Sequence, residues 1–333
     1  MESITWGRPI VRQVLIFTIL AFLVGRSTAS IGDRLPEFKE CVEVCKTENC
    51  ENGKLSLPLH LRLLFWDCPS ECDYTCQHIV TDRRVNQDPP MLNPVVQFHG
   101  KWPFYRMLGM QELFSVLFSL MNYLAHYQGM TRIRESIPPS YPLRKYYLGF
   151  GYFGLASWAF SMIFHTRDFP VTEKLDYFAA GASVLYGLYL SVIRIFRLDQ
   201  LRPNYKPALL RYWTIMCAGL YITHVSYLSF WSWDYTYNMA ANVAVGVVQN
   251  ILWTWFSISR YRKQMKSWTA WPGMIVAWII MAMSLELLDF PPFGGLIDAH
   301  SLWHLGTVVP TAWWYTFLVK DAQDDLAVGR LKA

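Results

Sequence analysis

The sequence predicts an all-α polytopic membrane protein, seven transmembrane helices preceded by a small disulfide-rich lumenal domain. Three observations carry that expectation. First, 53% of the 333 residues are hydrophobic and only 17% are charged, against about 25% in soluble domains. Second, six of the seven cysteines crowd between Cys41 and Cys76, directly behind an apolar N-terminal run. Third, from residue 103 onward apolar segments alternate with short polar gaps. The net charge of +5 is therefore read through its placement in those gaps and not as a nucleic-acid signal, so no nucleic-acid partner is expected.

Arg8 and Arg12 precede an apolar run from Val14 to Val24, followed by Ser27-Thr28-Ala29. A basic start, a short apolar stretch and small residues before a cleavage point predict a signal peptide over 1–29. An uncleaved anchor is the weaker alternative, since the run is short for a span that needs about 20 residues. Residues 30–102 then form the lumenal domain, where Cys41, Cys45, Cys50, Cys68, Cys72 and Cys76 predict an oxidising compartment and up to three disulfides. The pairing stays open, and spacings other than CxxC leave a zinc knuckle as the weaker alternative. Cys217 sits in a hydrophobic run and reads as an inert core thiol. The sequence has no Asn-x-Ser/Thr acceptor to fix topology.

The seven-helix domain covers 103–320, with spans at 106–127, 146–164, 173–193, 208–229, 239–258, 272–288 and 300–319, and a cytosolic tail over 321–333. Alternate gaps carry Arg132, Arg134, Arg144 and Lys145, then Arg194, Arg197, Arg202 and Lys206, then Arg260, Arg262, Lys263 and Lys266. The intervening gaps are poor in base. The positive-inside rule puts the basic gaps and the C-terminus in the cytosol, in agreement with a signal peptide that sends the N-terminal domain to the lumen. Phe230-Trp231-Ser232-Trp233 reads as an interfacial aromatic belt.

With that topology, ionisable residues converge near one leaflet. His300 and His304 are four apart at the start of the seventh helix and share one face. Ser161 and His165 are four apart at the lumenal end of the second, and Asp176 lies near the start of the third. His165, His300 and His304 are a sufficient ligand set for a catalytic zinc ion, Zn2+, with a fourth position left for water. Asp176 is placed to orient or deprotonate that water and Ser161 to donate to an oxyanion, which suits hydrolysis of an ester or amide. A serine nucleophile with a His–Asp pair is the weaker alternative. His224, Glu286, Asp289 and Asp298 lie near the same surface and are read as packing, loop or interfacial residues.

Two stretches, Trp66-Asp67-Cys68-Pro69-Ser70-Glu71-Cys72-Asp73-Tyr74-Thr75-Cys76 and Gln97-Phe98-His99-Gly100-Lys101-Trp102-Pro103-Phe104, resemble the GPI-remodelling phospholipases known as post-GPI-attachment factors or Per1-like proteins. More broadly, Ser161-x3-His165, Asp176 eleven residues on, and His300-x3-His304 resemble the pattern of seven-helix membrane hydrolases that include alkaline ceramidases. That resemblance implies zinc at the three histidines and removal of the sn-2 acyl chain from GPI-anchored proteins, with membrane lipid as the medium. It also implies the endoplasmic reticulum membrane, with the Golgi second. The acidic cluster of the ceramidase relatives is missing before the first helix, which argues against ceramide. A ceramidase-like amidase and a non-enzymatic receptor or escort remain the competing readings. His99 and Lys101 are candidates either to meet an anionic headgroup or to order the lumenal domain on the bundle.

Overall fold

The computed structural model describes residues 30–51, 56–199 and 206–327, so the expected signal peptide over 1–29 and the C-terminal residues 328–333 lie outside the described residues. The structure is all-helical with an N-terminal region stapled by three disulfides. In that region Pro36–Cys45 (α1) and Cys68–Val85 (α2) are bridged Cys41–Cys76, Cys45–Cys72 and Cys50–Cys68. The nesting makes the two helices antiparallel. Cys68, Cys72 and Cys76 recur every fourth residue and line one face of α2. Cys41 and Cys45 do the same on α1, whereas Cys50 comes five residues later. The chain absorbs the extra residue in a π-helical segment, Lys46–Glu51, whose wider turn returns Cys50 to the bridged face. All six cysteines are thereby consumed, and no thiolate remains for a zinc knuckle.

A strap without regular structure, residues 86–112, leads from α2 to the bundle. Within it Phe98 and Lys101 exchange backbone hydrogen bonds of 2.7 and 2.9 Å around His99 and Gly100, which have φ of 51° and 80°. Both central residues sit in the left-handed region, the signature of a tight two-residue turn that favours glycine. Phe98 packs on Phe38 with ring centroids 4.7 Å apart, in a small core with Cys76, Val80 and Val96.

Seven long helices follow: Leu113–Ser136 (α3), Arg144–Thr166 (α4), Pro170–Ile195 (α5), Pro207–Ser226 (α6), Tyr235–Gln264 (α7), Trp271–Leu288 (α8) and Ala299–Ala327 (α9). Four stretches, Arg144–Thr166, Pro170–Ile195, Tyr235–Gln264 and Ser267–Leu288, are long and apolar enough to cross a membrane, which makes this a multi-pass membrane protein. The first long helix begins at Leu113 and not near 106 as the apolar run had indicated. Residues 106–112 are held in the strap: Leu108 and Gly109 take positive φ, and Trp66 donates its indole N–H to the Gly109 carbonyl at 2.8 Å.

The helices close into a ring in which α3 packs on α4, α4 on α5, α5 on α7, α7 on α8, α8 on α9 and α9 on α3, while α6 leans on the outside of α5. Close crossings fall at glycines: Gly129 faces the ring of Tyr315 and Gly154 faces His126. Pro310 interrupts α9, and the Gly306 carbonyl, which lacks its usual helical donor, accepts the Trp278 indole N–H at 2.9 Å instead. The main apolar core, including Met130, Ile133, Tyr147, Trp253, Trp314 and Phe317, fills the half of the ring remote from the disulfide domain. The near half is polar.

At the remote end, α9 continues past residue 320 and buries Asp321, Asp324 and Asp325. Arg194 reaches Asp321 at 2.5 Å, Arg197 reaches Asp325 at 2.5 Å, and Arg260 pairs with both Asp321 and Asp324. Tyr147 and Tyr141 donate to Asp321 and Asp325 at 3.1 and 3.2 Å. Several of the bases that mark the expected cytosolic gaps are thus ion-paired to α9. Removing one member of such a buried network leaves uncompensated charge. Asp321→Asn is expected to destabilise the protein by about 3–5 kcal/mol, whereas Lys266→Ala, at a half-exposed ammonium, costs about 1 kcal/mol or less. Thermal unfolding in detergent checks this, and equal shifts for the two variants would show that the network does not lock the helices.

Candidate metal centre

The polar half of the bundle gathers the histidines. His165 ends α4 and is buried, and His300 and His304 occupy the first turns of α9. One ring nitrogen from each lies within 4.8 Å of the others. Ring centroids are 5.2 Å apart for His165 and His300, 5.1 Å for His165 and His304, and 4.5 Å for His300 and His304.

A partner from elsewhere engages Nδ1 of each ring. His165 Nδ1 is 2.7 Å from Glu112 Oε2, and His300 Nδ1 is 2.7 Å from Glu286 Oε2. His304 Nδ1 is 3.0 Å from Ser119 Oγ and 3.4 Å from the Ser115 carbonyl. A carboxylate fixes the tautomer that carries the proton on Nδ1, and it leaves Nε2 as a bare lone pair. His165 Nε2 is indeed buried with no hydrogen-bond partner, a costly arrangement unless something binds it. A soft lone pair from each of three imidazoles, each ring held from behind, is a donor set that could hold a metal ion.

The helix ends hold these rings in place. Glu112 N–H donates to the His165 carbonyl and Gln111 N–H to the Thr166 carbonyl, both at 3.0 Å, so the start of α3 is laced to the end of α4. Asp298 and Ser301 cap α9 reciprocally: Ser301 N–H donates to Asp298 Oδ1 at 2.8 Å, and Asp298 N–H donates to Ser301 Oγ at 3.0 Å. Asn122 bridges α3 to α9, donating to the His304 carbonyl at 2.7 Å and accepting from Thr307 at 3.1 Å.

Ser161 is buried one turn before His165, and its hydroxyl is 3.0 Å from Ser119 Oγ, the same oxygen that meets His304. Asp176 lies two turns into α5 and is half-buried. Of the five residues singled out in the sequence, the three histidines meet and Ser161 reaches His304 through Ser119, while Asp176 makes none of the described hydrogen bonds to them. The sequence reading missed Glu112, Ser119 and Asn122, and it left Glu286 and Asp298 as loop or interfacial residues; the structure makes the first a histidine partner and the second a helix cap. A readable trace existed in α3, where Ser115, Ser119, Asn122 and His126 fall at i, i+4, i+7 and i+11 in the otherwise apolar stretch 113–127.

His224 sits apart, 3.2 Å from Asn238 Oδ1 between α6 and α7. Lys101 is not presented to solvent as a headgroup contact would be: its ammonium lies 2.6 Å from Glu112 and 3.2 Å from Asp168. Burial alone would raise the Glu112 carboxyl, but Lys101 and His165 beside it hold it well below the usual carboxylate range.

Comparison with known proteins bears on this geometry. The sequence model of the Per1-like family matches residues 58–322. The chain is 45% identical over 322 residues to "Protein PER1 homolog" of Schizosaccharomyces pombe, covering 95% of this chain and 94% of that protein. It is 36% identical over 310 residues to "GPI-specific phospholipase A2-like PGAP3" of Xenopus laevis, covering 91% and 94%. It is 34% identical over 359 residues to "Protein PER1" of Saccharomyces cerevisiae, covering 93% and 97%.

The partners behind the rings give a direct test. His300→Ala is expected to abolish stoichiometric metal binding, while Glu286→Gln keeps the ligand and weakens metal affinity by about 10–100-fold. Metal analysis of purified protein and competition with a coloured chelator read both. Unchanged affinity in Glu286→Gln would remove that carboxylate from the centre.

Proposed function

The chain belongs to the Per1-like family, and from that premise we propose that it is a zinc-dependent GPI phospholipase of the A2 type. It removes the sn-2 acyl chain from GPI-anchored proteins in the lumenal leaflet of the endoplasmic reticulum membrane. The observation that carries the reading is the trio of buried His165, half-buried His300 and buried His304, with every Nδ1 engaged and the His165 Nε2 unpartnered. The relatives' name supplies the substrate class. In this reading all seven long helices cross the membrane. Besides the four most apolar stretches this includes α3, α6 and α9, of which α3 and α9 carry polar residues of the centre. The basic gaps at one end and the disulfide domain at the other support an N-terminus in the lumen and a C-terminus in the cytosol.

His165, His300 and His304 would hold the zinc ion, which when bound supplies Lewis acidity and acidifies water toward neutrality. Asp176 then takes the proton of the water that attacks the ester carbonyl, and returns it to the departing lysolipid oxygen as the acyl C–O bond breaks. Unlike Glu112 and Glu286, its carboxylate has no imidazole partner among the described hydrogen bonds, so it is available for protons. Ser161 serves as a donor to the developing oxyanion. The hydrogens support that role over nucleophilic attack. If His304 Nδ1–H donates to Ser119, the Ser119 hydrogen goes to Ser161, and the Ser161 hydrogen is left to point into the centre. A nucleophile would instead need a base on Ser161, and its partner is a second hydroxyl.

Two outcomes test the roles. Asp176→Ala is expected to be folded and membrane-inserted and to lose lyso-GPI production by about 10²-fold or more, measured as lyso-GPI in cells lacking this chain and rescued with the variant. Normal lyso-GPI from that variant sinks the assignment, and ceramide cleavage by the wild type would redirect it to an amidase. Ser161→Ala is expected to lose about 10²–10³-fold in rate and keep a residue of activity. Covalent labelling of wild-type Ser161 by a fluorophosphonate would make it a nucleophile instead.

A further inference from the structure

Lys101 belongs to the disulfide domain by chain position and to the centre by contact. The turn that carries it is fixed from behind. His99 N–H donates to Asp33 at 2.8 Å, Gly100 N–H donates to Ser30 Oγ at 2.7 Å, and Phe98 is buried in the core beside the Cys41–Cys76 bridge. From that turn the side chain passes over the Phe164 ring, with Nζ 4.0 Å from its centroid, and ends between two carboxylates. Glu112 precedes α3 and Asp168 follows α4, so the ammonium joins the two chain segments on either side of His165.

The two oxygens of Glu112 are divided between neighbours: Oε1 meets Lys101 at 2.6 Å and Oε2 meets His165 Nδ1 at 2.7 Å. A carboxylate with one oxygen taken by a fixed cation has only one rotation left, and that rotation aims the other oxygen at the imidazole. Without Lys101, Glu112 and Asp168 lose the cation that joins them, and Glu112 is free to rotate away from the imidazole. That rotation releases His165.

We infer that Lys101 is a positioning residue for the metal ligand His165, acting through Glu112, so that the disulfide domain braces the centre and is part of it. The same strap supports this from its other end. Gln97 and Trp102 both donate to the Asp289 carboxylate at 2.9 Å, at the end of α8 three residues beyond Glu286, which holds His300. Tyr105 N–H donates to the Gly295 carbonyl at 2.8 Å in the loop that leads into α9. His304 is held by Ser119 and Ser115 of α3 and has no such link to the strap among the described hydrogen bonds.

The inference rests on the proposed zinc centre, and its test separates the two. Full-length wild type, Lys101→Met, Lys101→Arg, Glu112→Gln and the double variant Lys101→Met/Glu112→Gln are purified in detergent. Zinc content is measured, then the rate of zinc release to excess chelator, with circular dichroism as the folding control. Lys101→Met is expected to release zinc at least about tenfold faster than wild type, the lower end of the loss that follows removal of a ligand-orienting partner. Lys101→Arg keeps the charge and restores most of the retention. The double variant is expected to release zinc no faster than Glu112→Gln alone, because the lysine acts through that carboxylate. If Lys101→Met is recovered unfolded, Lys101→Gln, which keeps a donor for Glu112, carries the same reading at a smaller fold-change. A wild-type protein without zinc overturns the centre itself. Zinc-loaded wild type with wild-type release in Lys101→Met, or additive effects in the double variant, overturns the relay alone.

Discussion

A buried imidazole can ligate only if its second nitrogen is satisfied, and in this protein that requirement is met across helix boundaries each time. His165 at the end of α4 is held by Glu112 at the start of α3, His300 of α9 by Glu286 of α8, and His304 of α9 by Ser119 of α3. The ring of helices follows from these pairs as much as from apolar packing. α9 must lie between α8 and α3 to have both histidines oriented, and α4 must return to the start of α3 to have the third. The polar half of the bundle is therefore a set of interhelical hydrogen bonds in a setting where each unmet polar group is costly.

How much of this was legible depends on whether an arrangement is local in sequence. Four-residue spacings put Ser161 with His165 and His300 with His304 on shared faces, and they also put Cys68, Cys72 and Cys76 on one face of α2. The nested disulfide ladder could have been read from that periodicity with one addition, the π-helical segment that brings Cys50 into line. The helix partners could not. Glu112 is 53 residues from His165 and Glu286 is 14 from His300, and nothing in either local pattern announces the contact. The start of α3 was misplaced for a related reason: Phe104 to Met110 is apolar enough to continue a helix, but Trp66 and Tyr74 of the disulfide domain capture its backbone as a strap. Glu112 thereby fell inside the expected span 106–127, with nothing local to mark its role.

The two ends of the bundle solve the problem of buried charge differently. At the remote end, Arg194, Arg197 and Arg260 meet Asp321, Asp324 and Asp325 in direct ion pairs. Positive and negative groups there answer one another, which suits a lock between α5, α7 and α9. Near the disulfide domain, Glu112 and Glu286 are instead answered by imidazoles that, with His304, each bring one ring nitrogen within 4.8 Å of the others. An array of carboxylate, imidazole and a third cationic group is the order expected where a metal ion completes the charge balance. The asymmetry argues that one end is built for cohesion and the other for binding.

Within the binding end the carboxylates divide again. Glu112 has both oxygens taken, one by Lys101 and one by His165, and Glu286 is bonded to His300, so neither has basicity to spare. Asp176 stands on α5, which packs on α4 and α7, and is not bonded to His165 or His300 among the described hydrogen bonds. A group that must take and return a proton has to be near the reacting atoms yet not engaged in a strong charged hydrogen bond, since such a bond would stabilise the anion and weaken the base. The residues that hold the rings have lost this freedom, whereas Asp176 has no such bond among the described hydrogen bonds. The division of labour proposed for the centre thus follows from which carboxylates are already bonded.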